Sequence, residues 1–343
     1  MNMKNYVIAR DDDIYEAFPD VAMTDSGELI CVFLQCEHHV IRKKVSLCIT
    51  KSSDNGRTWE PKQIFAQNPD NGQEFNCPRI SRLKDGTMVI VCDTMAALDV
   101  TTNNTLYVWK SQDNGKTWSA PLKLQFDGIV PDKYRELSNG RHIVALHRKG
   151  KEGKLEQYLY YSDDKGKTWS DPVLVAADGR YNLCEACILE VKEGTLVAFL
   201  RENSGKGYSC KKAISRDYGL TWEGVYDSRI DCCHRPVVDF LEPDRLLMTY
   251  RFAQGGKWGY MMQNLFGAVF DVDTALAKER IEQNVRIFPI SYDRSPVSDT
   301  GYSGWVELPD HEIYVVNYLV DDAPKAYIKG FAFDKEEILA GMK

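Results

Sequence analysis

The chain has 343 residues, 43% of them hydrophobic and 27% charged, with a formal net charge of −7. That apolar share supplies a large core and argues against disorder, while an acidic balance without a long basic run leaves no footprint for nucleic acid or an anionic membrane surface. The start, MNMKNYVIARDDDIYEAF, has no apolar leader-like run, no stretch is apolar enough to span a bilayer, and the ten cysteines lie mostly within apolar runs, so a cytoplasmic protein with reduced thiols is expected.

In chain order, the first pattern is a strand, a Gly-containing turn and a second strand, FPDVAMTDSGELICVF (Phe18 to Phe33). The same pattern returns as CPRISRLKDGTMVIVC (Cys77 to Cys92), YRELSNGRHIVALH (Tyr134 to His147) and CEACILEVKEGTLVAFL (Cys184 to Leu200). HRPVVDFLEPDRLLMTY (His234 to Tyr250) and YSGWVELPDHEIYVVNY (Tyr302 to Tyr318) bring the hairpins to six. Further β-rich runs follow the first hairpins, such as KVSLCITK, TLYVWK and LEQYLYY, and then short ones such as PKQIF. The best helical candidate is TALAKERIEQ (Thr274 to Gln283), in the longest gap between repeats.

Between the third and fourth strands stands an eight-residue motif, SSDNGRTW (Ser52 to Trp59), repeated as SQDNGKTW, SDDKGKTW and SRDYGLTW. The copies begin 59, 51 and 53 residues apart, which marks a repeat architecture. In S-x-D-x-G-x-T-W the Ser and Asp bond local backbone, the Gly supplies a φ > 0 position, and the Trp folds back over the hairpin. The motif staples a turn and carries no chemistry. Six four-stranded antiparallel units of about 50 residues predict one all-β domain over residues 1–343, a six-bladed β-propeller.

The four copies match the Asp-box, or BNR repeat, and with the six hairpins the chain resembles the sialidase (neuraminidase) superfamily along nearly its whole length. A fold hosts unrelated chemistries, so function must come from the site. Aligning the hairpins on their turns puts Pro19, Pro78, Pro131, Ala186, Pro236 and Tyr302 in one column near the axis. The resemblance implies that Tyr302 is a nucleophile, that Glu185 activates it, and that Arg201, sixteen residues after Glu185, belongs to an arginine clamp for a substrate carboxylate. A neutral phenol approaches an anomeric carbon beside a carboxylate without charge repulsion, provided a base takes its proton.

Two positions depart from the family pattern. Ala17-Phe18-Pro19 stands where sialidases carry Arg-Ile-Pro, and QCEHHVIRKK (Gln35 to Lys44) has no aspartate where the family's acid/base residue is expected. Glu37, His38 or His39 is the substitute donor, a histidine being suited to proton transfer near neutrality. Arg79, Arg235 and Arg251, at hairpin ends, are candidates to rebuild the clamp, although each also reads as a structural ion pair. Asn203 and Tyr318, with Asp132, Glu136, Glu202, Trp258 and Asn317, are expected to line the pocket.

The C-x-x-C of Cys184 and Cys187 falls on a strand, where positions i and i+3 face apart, so no metal site is expected there. No P-loop, dinucleotide fingerprint or Ser-His-Asp signature is visible, and no cofactor is expected. The resemblance implies an exo-acting, retaining glycoside hydrolase for a terminal, acidic sugar, with a carbohydrate as its expected partner. A uronate-specific polysaccharide lyase and a non-catalytic glycan-binding propeller remain the alternatives.

Overall fold

Each hairpin read from the sequence forms the two inner strands of one blade in the computed structural model, which describes residues 2–39, 44–69, 71–96, 101, 103–254 and 262–340. Blade 1 runs outward through Tyr15–Met23, Leu29–Cys36, Ser46–Ser52 and Gln63–Gln67. Blade 4 does the same with Leu183–Lys192, Thr195–Glu202, Ser209–Ser215 and Glu223–Asp231, and blade 5 with Cys233–Glu242, Arg245–Gln254, Met262–Asp271 and Val285–Tyr292. All pairings are antiparallel and the six sheets form a six-bladed propeller. No described helix is long and apolar enough to cross a membrane.

Blades 2 and 3 begin irregularly. In blade 2 the inner edge is split into Glu74–Phe75 and Arg79–Arg82, on either side of Cys77-Pro78. In blade 3 it shrinks to Arg135–Glu136, after Pro131. Proline lacks the N–H a ladder needs, and in blade 2 the Asp93 side chain takes the Cys77 N–H in place of a ladder carbonyl. The last blade is built from both ends of the chain: Ser303–Glu307, Glu312–Leu319 and Tyr327–Asp334 are completed by Lys4–Ala9, with Tyr6 opposite Gly330. This outermost strand closes the ring.

The Asp-box motifs act as turn staples. Ser52 Oγ accepts from Gly56 N at 2.9 Å, Asp54 Oδ1 from Thr58 N at 2.9 Å, and Asp54 Oδ2 from the Thr58 hydroxyl at 2.6 Å. The same bonds recur at Ser111, Ser162 and Ser215. Trp59 Nε1 donates to Gly56 O and to the buried Tyr314 hydroxyl, so the first staple also seals blade 1 against blade 6. The bonds from Thr58 hold the Asp54 carboxyl down to about 2. A depressed carboxyl adds stability that is complete above its unfolded value, about 3.9, and is lost as pH falls toward 2. Urea unfolding should therefore show stability declining through that window, less steeply in Asp54→Ala; equal slopes would remove the staple from the acid response.

The helix expected over Thr274 to Gln283 is a correction. The structure has a short α-helix at Val272–Leu276, begun by the Asp271 side chain accepting from Thr274 N, and a separate 3-10 turn at Arg280–Glu282. Lys212 Nζ donates to Thr274 O and Ala277 O, and Gln283 Nε2 to Glu279 O. Side chains thus occupy carbonyls that a continuous helix would have used.

Candidate active site

The aligned column predicts where the blades meet, and the backbone there is unusual. Phe18, Val130, Glu185 and Arg235, each directly before its column residue, have φ between 48° and 57°, and Gly301, before Tyr302, has φ 99°. In blades 1, 4 and 5 the ladder slips across these positions, between Ala17 and Asp20, Cys184 and Cys187, and His234 and Val237. Such bulges re-aim a side chain out of the strand's alternation. Left-handed conformations cost non-glycine residues on the order of 1–3 kcal/mol each and persist where surrounding contacts enforce them.

The re-aimed groups converge on Tyr302. Its hydroxyl donates to Glu185 Oε1 at 2.5 Å, and Arg201 Nη1 donates both to Glu185 Oε1 at 2.7 Å and to the Tyr302 oxygen at 3.1 Å. Arg201 Nη2 is held by Asn203 Oδ1 at 2.6 Å. The Arg251 guanidinium lies 4.4 Å from the Tyr302 ring centre and that of Arg235 5.8 Å. Arg251 donates to the Tyr318 hydroxyl at 2.6 Å and to Thr300 O. Arg235 donates to Pro131 O at 2.6 Å, while its Nε and Nη1, the Nε of Arg201 and Glu185 Oε2 are buried without a protein partner.

Burial tends to raise the Glu185 carboxyl, but Arg201, Arg235 and His147 outweigh it and hold the group below the ordinary carboxylate range. Burial, and then the negative charge of Glu185, push the Tyr302 phenol well above its ordinary value. The resting pair is a carboxylate accepting from a neutral phenol. Two imidazoles that the sequence did not single out for the site lie beside it. His147 Nδ1 faces Glu185 N at 3.3 Å and is pushed down to about 4, chiefly by burial. His234, opposite Arg251 in the blade 5 ladder, is lowered by burial and by Arg201 and Arg251. Three guanidinium groups, those of Arg201, Arg235 and Arg251, thus gather around the Tyr302 ring and the Glu185 carboxylate.

The remaining candidates divide by place. Arg79 is buried one step along the axis, donating to Ser303 O at 2.9 Å and standing 3.8 Å from Asp20. Asp132 accepts from Ile188 N, Glu202 from Asn182 N, and Asn317 from Gly301 N, so these buried groups hold backbone. Glu136 lines a cavity of about 640 Å³ at the other end of the axis, with Leu83, Lys84, Phe240 and Trp305. Trp258 lies outside the described residues. Cys184 and Cys187 are buried free thiols. Glu37 is exposed, its carbonyl accepting from Lys325, and His38 is exposed with its ring 5.9 Å from that of Tyr15. His39 reaches inward: Nδ1 lies 2.7 Å from Asp299 Oδ2, and its ring meets Phe18 edge-on at 5.2 Å. Asp299, which no sequence signal singled out, sits in irregular chain three residues before Tyr302, where no periodicity marks it.

The BNR repeat-like domain family matches residues 42–239, more than half of the chain. The chain belongs to that family, within the sialidase superfamily. This BNR-repeat propeller is 26% identical over 251 residues to a sialidase of Bacteroides fragilis (strain YCH46), covering 64% of the chain and 45% of that protein. It is 28% identical over 215 residues to a sialidase of Paraclostridium sordellii, covering 50% and 52%. The chain spans about half the length of the curated relatives it matches. Among solved structures, a Dyadobacter fermentans protein of unknown function superposes with TM-score 0.78 at 24% identity, covering 96% of this chain and 98% of that one. Trypanosoma rangeli sialidase, in complex with 2,3-difluorosialic acid as a covalent intermediate, does so with TM-score 0.66 at 19% identity, covering 96% and 56%. These structural likenesses establish the fold.

Proposed function

We propose that this BNR-repeat propeller is an exo-acting glycoside hydrolase for a terminal sugar that bears a carboxylate, working by double displacement with retention. The observation that carries the reading is the 2.5 Å bond from the Tyr302 hydroxyl to Glu185, with Arg201 bonded to both. In the first step Tyr302 Oη bonds to the anomeric carbon and its proton passes to Glu185 Oε1. The bond to the leaving oxygen breaks as that oxygen receives a proton from the enzyme. In the second step a water oxygen attacks the same carbon, the tyrosyl bond breaks, and Tyr302 recovers its proton from Glu185. Arg201, Arg235 and Arg251 receive the substrate carboxylate, which meets the unpartnered N–H groups of Arg201 and Arg235.

The test is a panel of aryl glycosides of sialic acid, ketodeoxy-sugars and uronic acids, with the anomer of the first product followed by NMR. Release with retention by the wild type, lost in Tyr302→Phe, supports the reading. An unsaturated product would point to a lyase, and binding without turnover across the panel to a glycan-binding module. For a substrate that is cleaved, Arg235→Ala should lower kcat/KM by roughly 30-fold or more, the loss of about 2 kcal/mol typical of truncating one partner of a buried charge pair. The matching glycoside with its carboxylate reduced to an alcohol should lose far less; equal losses would take Arg235 out of the clamp.

A further inference from the structure

We propose that His39 and Asp299 form the proton-transfer dyad of this site, His39 serving the leaving-group oxygen and Asp299 acting as its positioning residue. The inference rests on the reading of Tyr302 as nucleophile and supplies the enzyme proton that reading requires.

Asp299 gathers donors from three separate parts of the chain. Its Oδ2 accepts from the Tyr15 hydroxyl, at the start of the inner strand of blade 1, and lies 2.7 Å from His39 Nδ1, on the loop after the second strand of that blade. Its Oδ1 accepts from Tyr318, on the second strand of blade 6, at 2.8 Å. Its own N–H donates to Asp293 Oδ2 at 3.1 Å, fixing the segment that leads to Tyr302. A carboxylate carries no proton to give, so His39 Nδ1 is the donor in this contact, and its other ring nitrogen stands on the opposite edge of the imidazole.

Phe18 relates this cluster to the nucleophile. Its ring lies 5.2 Å from His39, 5.2 Å from Tyr302 and 5.3 Å from Tyr318, so imidazole and phenol flank one aromatic wall. Phe18 holds that place because of its left-handed backbone, φ 57°. The His39 side chain stays 28% exposed, open to solvent protons, whereas Tyr302 is buried. Among the described residues, the charged and titratable groups facing the dyad include Tyr15, Tyr318, Asp293, which accepts from the Asp299 N–H, and Arg251, whose Nη2 is 3.8 Å from Asp299, with His38 beside the Tyr15 ring.

The proton balance closes over the two steps. The His39 imidazolium gives one proton to the leaving oxygen as the glycosidic bond breaks and Tyr302 bonds to carbon. The neutral imidazole then takes one proton from the attacking water. Asp299 accepts from His39 Nδ1 throughout, holding the ring in place, and exchanges no proton itself.

The experiment compares an alkyl glycoside and a 4-nitrophenyl glycoside of one acidic sugar that the wild type cleaves, because only the poor leaving group needs protonation. His39→Asn should slow the alkyl substrate about 100-fold or more and the 4-nitrophenyl substrate far less, whereas Tyr302→Phe should slow both alike. Asp299→Asn should slow the alkyl substrate more than the 4-nitrophenyl substrate, in the same sense as His39→Asn, because the imidazole is no longer held toward the leaving oxygen. Equal effects of His39→Asn on both substrates, or of Asp299→Asn on both, would overturn the dyad. A Tyr302→Phe variant that keeps wild-type rates would instead overturn the nucleophile. A proton NMR spectrum without substrate tests the same pairing independently of turnover: the His39 Nδ1–H signal, downfield while it is held by the Asp299 carboxylate, should move upfield in Asp299→Asn, and an unchanged signal rejects the positioning role.

Discussion

Tyr302→Phe is expected to lower kcat on a cleaved acidic glycoside by on the order of ten-thousandfold or more, with little change in thermal stability. The substitution deletes one oxygen. The phenyl ring would keep its contacts with Phe18 and Tyr318 and its place beneath the Arg251 guanidinium, while Glu185 and Arg201 would remain bonded to each other at 2.7 Å. Glu185→Gln should cost roughly a hundredfold to ten-thousandfold in rate, because the amide cannot take the phenolic proton. It should also disturb the fold more, since a buried anion among Arg201, Arg235 and His147 disappears. Steady-state kinetics and thermal unfolding on both variants would separate the effects. A Tyr302→Phe variant retaining more than about a tenth of wild-type turnover would end the covalent mechanism.

Asp20→Ala should produce the largest loss of stability, about 3–5 kcal/mol, the range for breaking a buried ion pair from one side. Asp20 is fully buried on the axis, directly beyond the bulge at Phe18. Its Oδ1 lies 3.1 Å from Lys133 Nζ of blade 3 and 3.8 Å from Arg79 Nη1 of blade 2, and its Oδ2 accepts from Ile80 N at 3.0 Å. A side chain at Gly304 would collide with it, so blade 6 packs on the same carboxylate. Removing it takes the countercharge from two cations, which keep only backbone carbonyls, and the acceptor from a backbone N–H beneath the candidate site. The urea midpoint of Asp20→Ala should fall with an unchanged denaturant slope, and Asp20→Ala combined with Lys133→Met should recover part of the loss. A single-variant loss below about 1 kcal/mol would mean that water replaces the carboxylate.

The parts of the structure that were legible in advance are those written in local, repeated signals. The Asp-box needs only eight contiguous residues, and the same bonds form in all four copies. The hairpins needed only alternation and a turn. Tyr302, Glu185 and Arg201 were expected together through a family resemblance, and they do share hydrogen bonds. The closing strand Lys4–Ala9 was not foreseen, because nothing in KNYVIA indicates a partner at Tyr327–Asp334. Nor did alternation predict that Phe18 would face Tyr302, since a bulge inserts a residue and changes the face it presents.

Asp299 marks the boundary between the two kinds of information. Hydrogen bonding within a few residues and a period of two along a strand are properties of the chain's order, so blade number, blade spacing and staple chemistry could be read from order alone. The assembly of Tyr15, His39, Tyr318 and Arg251 around one carboxylate joins residues up to 284 positions apart, and it exists because the ring closes blade 6 against blade 1. Which guanidinium groups face the phenol and which are spent on backbone, as Arg79 is on Ser303, was likewise set by that closure and by the left-handed residues at the strand starts.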